Sequence, residues 1–182
     1  MKPRLLFLFP DNWDRAALDI AAALRQEFDV IAEGFDLFRF PQNVRILAFD
    51  ACRYVERLAR RYRGTGVVGV VSSHEQYGAL IAATVARELG LPGADPRAIL
   101  CAQHKHLART ALARAMPDAN PPFALLPHVL SADPPVAAAL PLPFPFFVKP
   151  VKAAFSILAR RIDDVATLGR HLTFSPGEAR LI

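Results

Sequence analysis

A chain of 182 residues is long enough for one ordinary domain, or for a small domain with part of another, and length alone does not choose between them. Hydrophobic residues make up 53% and charged ones 21%, which excludes general disorder. The 22 basic against 17 acidic side chains leave +5, an excess that favours anionic ligands but falls short of a nucleic-acid binder.

The amino terminus has a basic start, but only five apolar residues, Leu5 to Phe9, precede Pro10. That is too few for a signal-peptide core or a membrane span, so the segment reads as a first buried strand. Asp11 or Asn12 can cap a helix from Trp13 to Phe28, where Ala17, Leu18, Ile20, Ala21 and Leu24 give helical apolar spacing. A strand over 28–32 follows, and 34–49 has no assignable period. Helical spacing returns over 50–63. Tyr54, Val55, Leu58, Ala59 and Tyr62 share one face; Arg53, Arg57, Arg60 and Arg61 share another, which reads as a solvated stripe before it reads as a nucleic-acid contact.

Gly64 to Gly66 ends that helix, and Val67-Val68-Gly69-Val70-Val71 is a short β-branched run, apolar on both faces, as expected inside a parallel sheet. Ser72-Ser73-His74-Glu75-Gln76 then offers a capping box for a helix through Leu80, Ile81, Val85 and Leu89. In an open α/β sheet ligands gather at the carboxyl ends of strands, so Ser72, Ser73, His74 and Glu75 are also binding candidates; the plainer reading makes Ser72 and Glu75 caps and His74 a turn residue. GxxxxGK[ST] does not occur, and HExxH and GxSxG are absent too. Cys52 and Cys101 are far apart and form no CxxC pair, so no disulfide framework or zinc site is legible, and a reducing, cytoplasmic setting is expected. His104 and His106 stand two apart, a poor helical spacing for shared ligands, so they read as solvent-facing.

Lys105 follows within His104-Lys105-His106-Leu107-Ala108-Arg109. Between Met116 and Pro145 eight prolines exclude a long helix and favour a packed connector, with Phe123-Ala124-Leu125-Leu126 as one candidate strand. Phe144-Pro145-Phe146-Phe147-Val148-Lys149-Pro150 then carries a lysine out of an apolar strand, and a second strand over 156–162 completes a hairpin. An ammonium stripped of hydration needs an anionic partner, for which a phosphate is one candidate and a snorkelling strand-end lysine the plainer alternative. Asp163-Asp164 read as the cap of a helix over 165–172, since adjacent cap residues point apart and make poor joint metal ligands.

Taken together, these segments resemble an ATP-grasp ligase, of the carboxylate-amine ligase or biotin carboxylase kind. The run from Gly66 to Glu75, with Ala82-Ala83 and Glu88-Leu89-Gly90-Leu91-Pro92-Gly93, is similar to the end of the amino-terminal domain of that family; the lysine helix and the lysine strand follow in the family's order, over about 66–165. The resemblance implies an α/β fold: an open parallel, Rossmann-like pre-ATP-grasp domain over 1–94, then a partial ATP-grasp α+β nucleotide-binding subdomain over 95–182. It implies ATP and Mg2+ as cofactors, with Lys105 and Lys149 on the nucleotide phosphates, Ser156 at the end of the mobile loop, and small-molecule carboxylate and amine substrates with no nucleic acid or membrane partner.

The sequence departs from the family at that loop. Val151-Lys152-Ala153-Ala154-Phe155-Ser156 has no glycine to let backbone amides approach phosphate, although Lys152 could supply charge. The adenine hinge, the further subdomain and the magnesium ligands of the family have no counterpart, so the expectation is the front portion of a ligase, its catalytic residues unknown, inactive as it stands. A noncatalytic α/β binding module, with ordinary lysines, is the alternative, and nucleotide binding separates the two.

Overall fold

The computed structural model describes residues 2–126, 140–153, 156 and 158–173. The chain divides into two compact units, Met1–Leu100 and Cys101–Ile182. In the first, β1 (Arg4–Leu8), β2 (Asp29–Glu33) and β3 (Val67–Val71) form a parallel sheet in the order β2-β1-β3. Leu6 lies beside Ile31 and Val70 in register, so these side chains, with Leu8, share one face. Helix α3 (Ala51–Tyr62) and helix α4 (Tyr77–Glu88) contribute to the core that includes this face.

The face of α3 inferred from spacing is the one that packs: Tyr54, Val55, Leu58, Ala59 and Tyr62 are buried, and the Asp50 carboxylate accepts the Arg53 N–H at 3.0 Å as the cap. Its arginine stripe is exposed, with the Arg57 and Arg61 guanidiniums over the rings of Tyr54 and Tyr62. Tyr62 donates its hydroxyl to Glu33, which also accepts from Arg61. Burial first, and the Glu33 carboxylate second, push the Tyr62 hydroxyl up to about 12. At the ends of β1 and β2, Phe9 stacks on Tyr54 and meets Phe35 and Phe49 edge-on. A Cβ on Gly34, whose φ is +103°, would lie 2.8 Å from the Phe9 ring, so glycine is required there.

Three expectations for this unit are corrected. The long first helix is two, α1 (Asn12–Ile20) and α2 (Ala22–Glu27), because Ala21 leaves helical geometry. Its apolar spacing was misleading: neither helix buries a residue, and Ile20 is 84% exposed. β3 is an edge strand with Val68 and Val71 partly exposed, so its continuous apolar run does not mark a central position. The Ser72/Glu75 capping box does not form, since α4 begins at Tyr77, with Gln76 at the N-cap position and no side-chain capping bond to the helix there. Ser72 instead donates to the Leu8 carbonyl at 2.8 Å, tying the ends of β1 and β3 together. The 34–49 stretch, unassigned from sequence, holds a 3-10 helix, Gln42–Ala48, preceded by a turn in which the buried Asp36 carboxylate accepts from the Phe38 and Arg39 N–H groups.

Helix α5 (Pro96–Gln103) leads into α6 (Lys105–Ala115), and β4 (Phe146–Val148) pairs antiparallel with β5 (Arg160–Ile162) ahead of α7 (Val165–Leu172). Ile162, Leu168 and Leu172 are buried, with Leu126, Leu140, Phe144, Phe146 and Val148 packed against them. Phe123 to Leu126 form no strand; with Pro121 and Pro122 just before, the segment has fewer N–H donors for a ladder. Asp164 caps α7 through the Thr167 N–H at 2.6 Å, which with other bonds to that turn holds its carboxyl below the usual range. His128, with the rest of 127–139 in the proline-rich connector, lies outside the described residues.

Candidate functional site

The lysines singled out from sequence sit on two segments of the carboxyl unit. Along β4 side chains alternate: Phe146 and Val148 turn toward the small core, while Phe147, 67% exposed, turns away. Lys149 continues the outward row and is exposed. This corrects the premise that its ammonium is dehydrated inside an apolar hairpin, because the strand ends one residue earlier and the outward face is open. Lys152 and Ser156 are exposed as well. Ser156 has a φ of +57°, a left-handed conformation that a non-glycine residue adopts at some cost.

Lys105 is the half-buried lysine. It opens α6, whose N-cap His104 accepts the Leu107 N–H on Nδ1 at 3.3 Å, so His104 is a capping group rather than a free surface residue. His106 is also half-buried, its ring edge-on to Phe123, which corrects the solvent-facing reading. The Lys105 N–H donates to the Val151 carbonyl at 2.8 Å, and its ammonium donates to the Ala153 carbonyl at 2.8 Å. The segment that follows Lys149 therefore lies against the start of the lysine helix. Sequence gave the two lysines and their order but no sign of this contact, because main-chain acceptors leave no mark in residue identity.

Charge is distributed unevenly between the units. Residues 101–182 carry nine lysines and arginines against five acids, whereas 1–100 carry thirteen against twelve. Among the described residues of the carboxyl unit the ion pair is Arg161 with Asp163 at 2.8 Å, which leaves Lys105, Lys149, Lys152 and Arg160 without a carboxylate in reach. That is an environment for an anion. A cleft of about 510 Å³ in the amino unit, lined by Arg87, Leu91, Asp95 and Arg97 among others, contains none of these lysines. Volume alone does not locate phosphate chemistry, and the charge distribution is the better guide here.

No protein-family profile matches the chain, and no curated protein sequence matches it either. Among solved structures, the crystal structure of an L-amino acid ligase from Bacillus licheniformis matches over 94% of this chain with a TM-score of 0.65 at 20% identity. That ligase is an ATP-grasp enzyme. The fold of this chain is that of the matched part of this ligase. The chain spans 41% of the length of the ligase it matches. The ATP-grasp likeness implies ATP and Mg2+. Lys149, Lys152 and Arg160, with no carboxylate in reach among the described residues, fit a polyphosphate. Magnesium finds no fitting donor set: among the described residues no group of three His, Cys, Asp or Glu could hold a metal, Asp163 is paired with Arg161, and Asp164 is the α7 cap. Among the described residues, no helix is long and apolar enough to cross a membrane.

Proposed function

We propose that this chain is the front portion of an ATP-dependent ligase of the ATP-grasp type, and that Lys105 and Lys149, with Lys152 and Ser156 on the adjoining segment, bind the nucleotide polyphosphate. The observation that carries the reading is the seating of the segment after Lys149 against the first turn of α6, which brings the two lysine-bearing segments together within a fold matched to an amino acid ligase. In such a ligase, ATP phosphorylates a carboxylate to an acyl phosphate with release of ADP, and an amine then displaces inorganic phosphate to leave an amide. The proposed share of this chain is to bind and orient the phosphates: ammonium groups offset the charge of the transferring group, where most phosphoryl-transfer catalysis resides. A carboxylate substrate of the amino acid class, an amine nucleophile and a cytoplasmic setting belong to the same proposal.

The test is calorimetric titration of the 182-residue chain with MgATP and with inorganic tripolyphosphate at low salt. Binding of both, weakened about tenfold by Lys149→Gln, is expected for one lost charge-assisted contact. Failure of both to bind would favour the noncatalytic module. With no metal-holding group among the described residues, ATP cleavage stimulated by amino acids should be absent; such cleavage, lost in Lys149→Ala, would overturn the expectation of inactivity.

A further inference from the structure

Lys105 holds more than its own helix. As the first residue of α6 it has a main-chain N–H with no acceptor inside the helix, and that N–H goes to Val151. Its ammonium goes to Ala153. One residue thus grips the chain twice, just beyond Lys149, while β4 holds Val148 on the other side through its pairing with Arg160. Lys149 is exposed, and a free lysine side chain samples many rotamers. What limits the reach of its ammonium is the backbone beneath it, clamped by the ladder before and by Lys105 after.

We propose that Lys105 is a positioning residue: by fastening residues 149–153 to the start of α6, it sets where the Lys149 ammonium can meet an anion. This rests on the polyphosphate reading above and goes beyond it, because two independent phosphate contacts would not require either lysine to hold the other in place.

Two measurements on the full 182-residue chain decide it. The Lys149–Pro150 bond resists trypsin, so Lys152 is the tryptic lysine between Val148 and Arg160, and its cleavage can be followed by mass spectrometry. Without ligand, Lys105→Met should speed cleavage after Lys152 by about tenfold, as expected for loss of a charge-assisted bond to the segment. Lys105→Arg, which keeps a cationic donor, should return most of the protection, and Lys149→Gln should leave the rate unchanged. Circular dichroism of each variant guards against simple unfolding of α6. In the second measurement, tripolyphosphate affinity is taken through a double-mutant cycle. Lys105→Met with Lys149→Gln should bind no more weakly than Lys105→Met alone, because Lys149 contributes little once its backbone is loose. Wild-type cleavage rates in Lys105→Met, or losses of affinity that simply add, would overturn the proposal. If the wild-type chain binds no tripolyphosphate, the polyphosphate reading and the binding half of this proposal both fall; faster cleavage in Lys105→Met would then support the fastening alone.

Discussion

The two units bury very different cores. In Met1–Leu100, twelve buried residues form one cluster in which sheet residues, two helices and an aromatic group at the strand ends all take part. In Cys101–Ile182, the described cluster has three, Ile162, Leu168 and Leu172, beneath a two-stranded hairpin with Phe147 facing out. Hydrophobic stabilisation scales with apolar area removed from water, so among the described residues the first unit has much the larger core to stand on. Lys105, Lys149 and Lys152 are on the second. A region proposed to bind a charged ligand, with little core of its own, should gain much of its order from that ligand.

The sharpest way to break this comparison is to make the same cavity in each unit. Leu58 and Leu168 are both fully buried. Leu58→Ala should cost about 3 kcal/mol and lower the stability of the amino unit without unfolding it. An equal loss at Leu168 takes most of what the smaller core supplies, so Leu168→Ala should abolish cooperative folding of the carboxyl unit. Hydrogen exchange resolved along the chain reads both effects. Equal loss of protection in the two units after either substitution would show that they fold as one body and that the contrast is false.

What the sequence revealed cuts across that division. The α3 face, β3 and the extent of α7 were legible because residues 54–62 repeat with helical period, 67–71 are β-branched, and Asp164 stands at a cap position. Where a tertiary partner decides, the pattern failed. Ala17, Leu18 and Ile20 have core spacing but no packed surface to meet, and the Ser72 hydroxyl serves the end of β1 rather than a helix start. At the candidate site, residue types and order pointed to Lys105 and Lys149. The difference between them, one gripping main-chain carbonyls and the other exposed, depends on where a loop comes to rest, which no local propensity encodes.

A smaller effect sharpens the account of the amino unit. An added Cβ at Gly78 would lie 2.1 Å from the Ser72 hydroxyl and 2.9 Å from the His74 Cβ, so α4 starts where only glycine allows the turn after β3 to close upon it. Gly78→Ala should cost about 2 kcal/mol by overpacking, measured by urea unfolding. Ser72→Ala in the same chain should recover about half, at ~1 kcal/mol, since the nearest obstacle is removed while its bond to Leu8 is lost. A single substitution within ~0.5 kcal/mol of wild type would show that the β3–α4 turn has slack and that the amino unit is less tightly built than its core implies.

The smallest effect concerns His74 in that same turn. Its ring stacks on Phe38 at 5.0 Å, and its Nδ1 accepts the Gly78 N–H at 3.4 Å, a role open to the neutral imidazole alone. Burial lowers its pKa below the ordinary 6.5, outweighing its own main-chain bond and the Glu75 charge, which both favour the cation. A histidine whose folded pKa lies below its unfolded value is neutral in both states at high pH and contributes no penalty there. As pH falls through 6.5 the unfolded chain takes up the proton first, so stability declines, and the decline ends once pH passes below the folded pKa. The wild-type chain should therefore lose stability between neutral and mildly acidic pH by a margin that His74→Gln removes. Proton NMR of the His74 ring gives the direct check. A midpoint at or above 6.5 would mean that solvent reaches the ring freely, and that this turn belongs with the loosely held parts of the molecule.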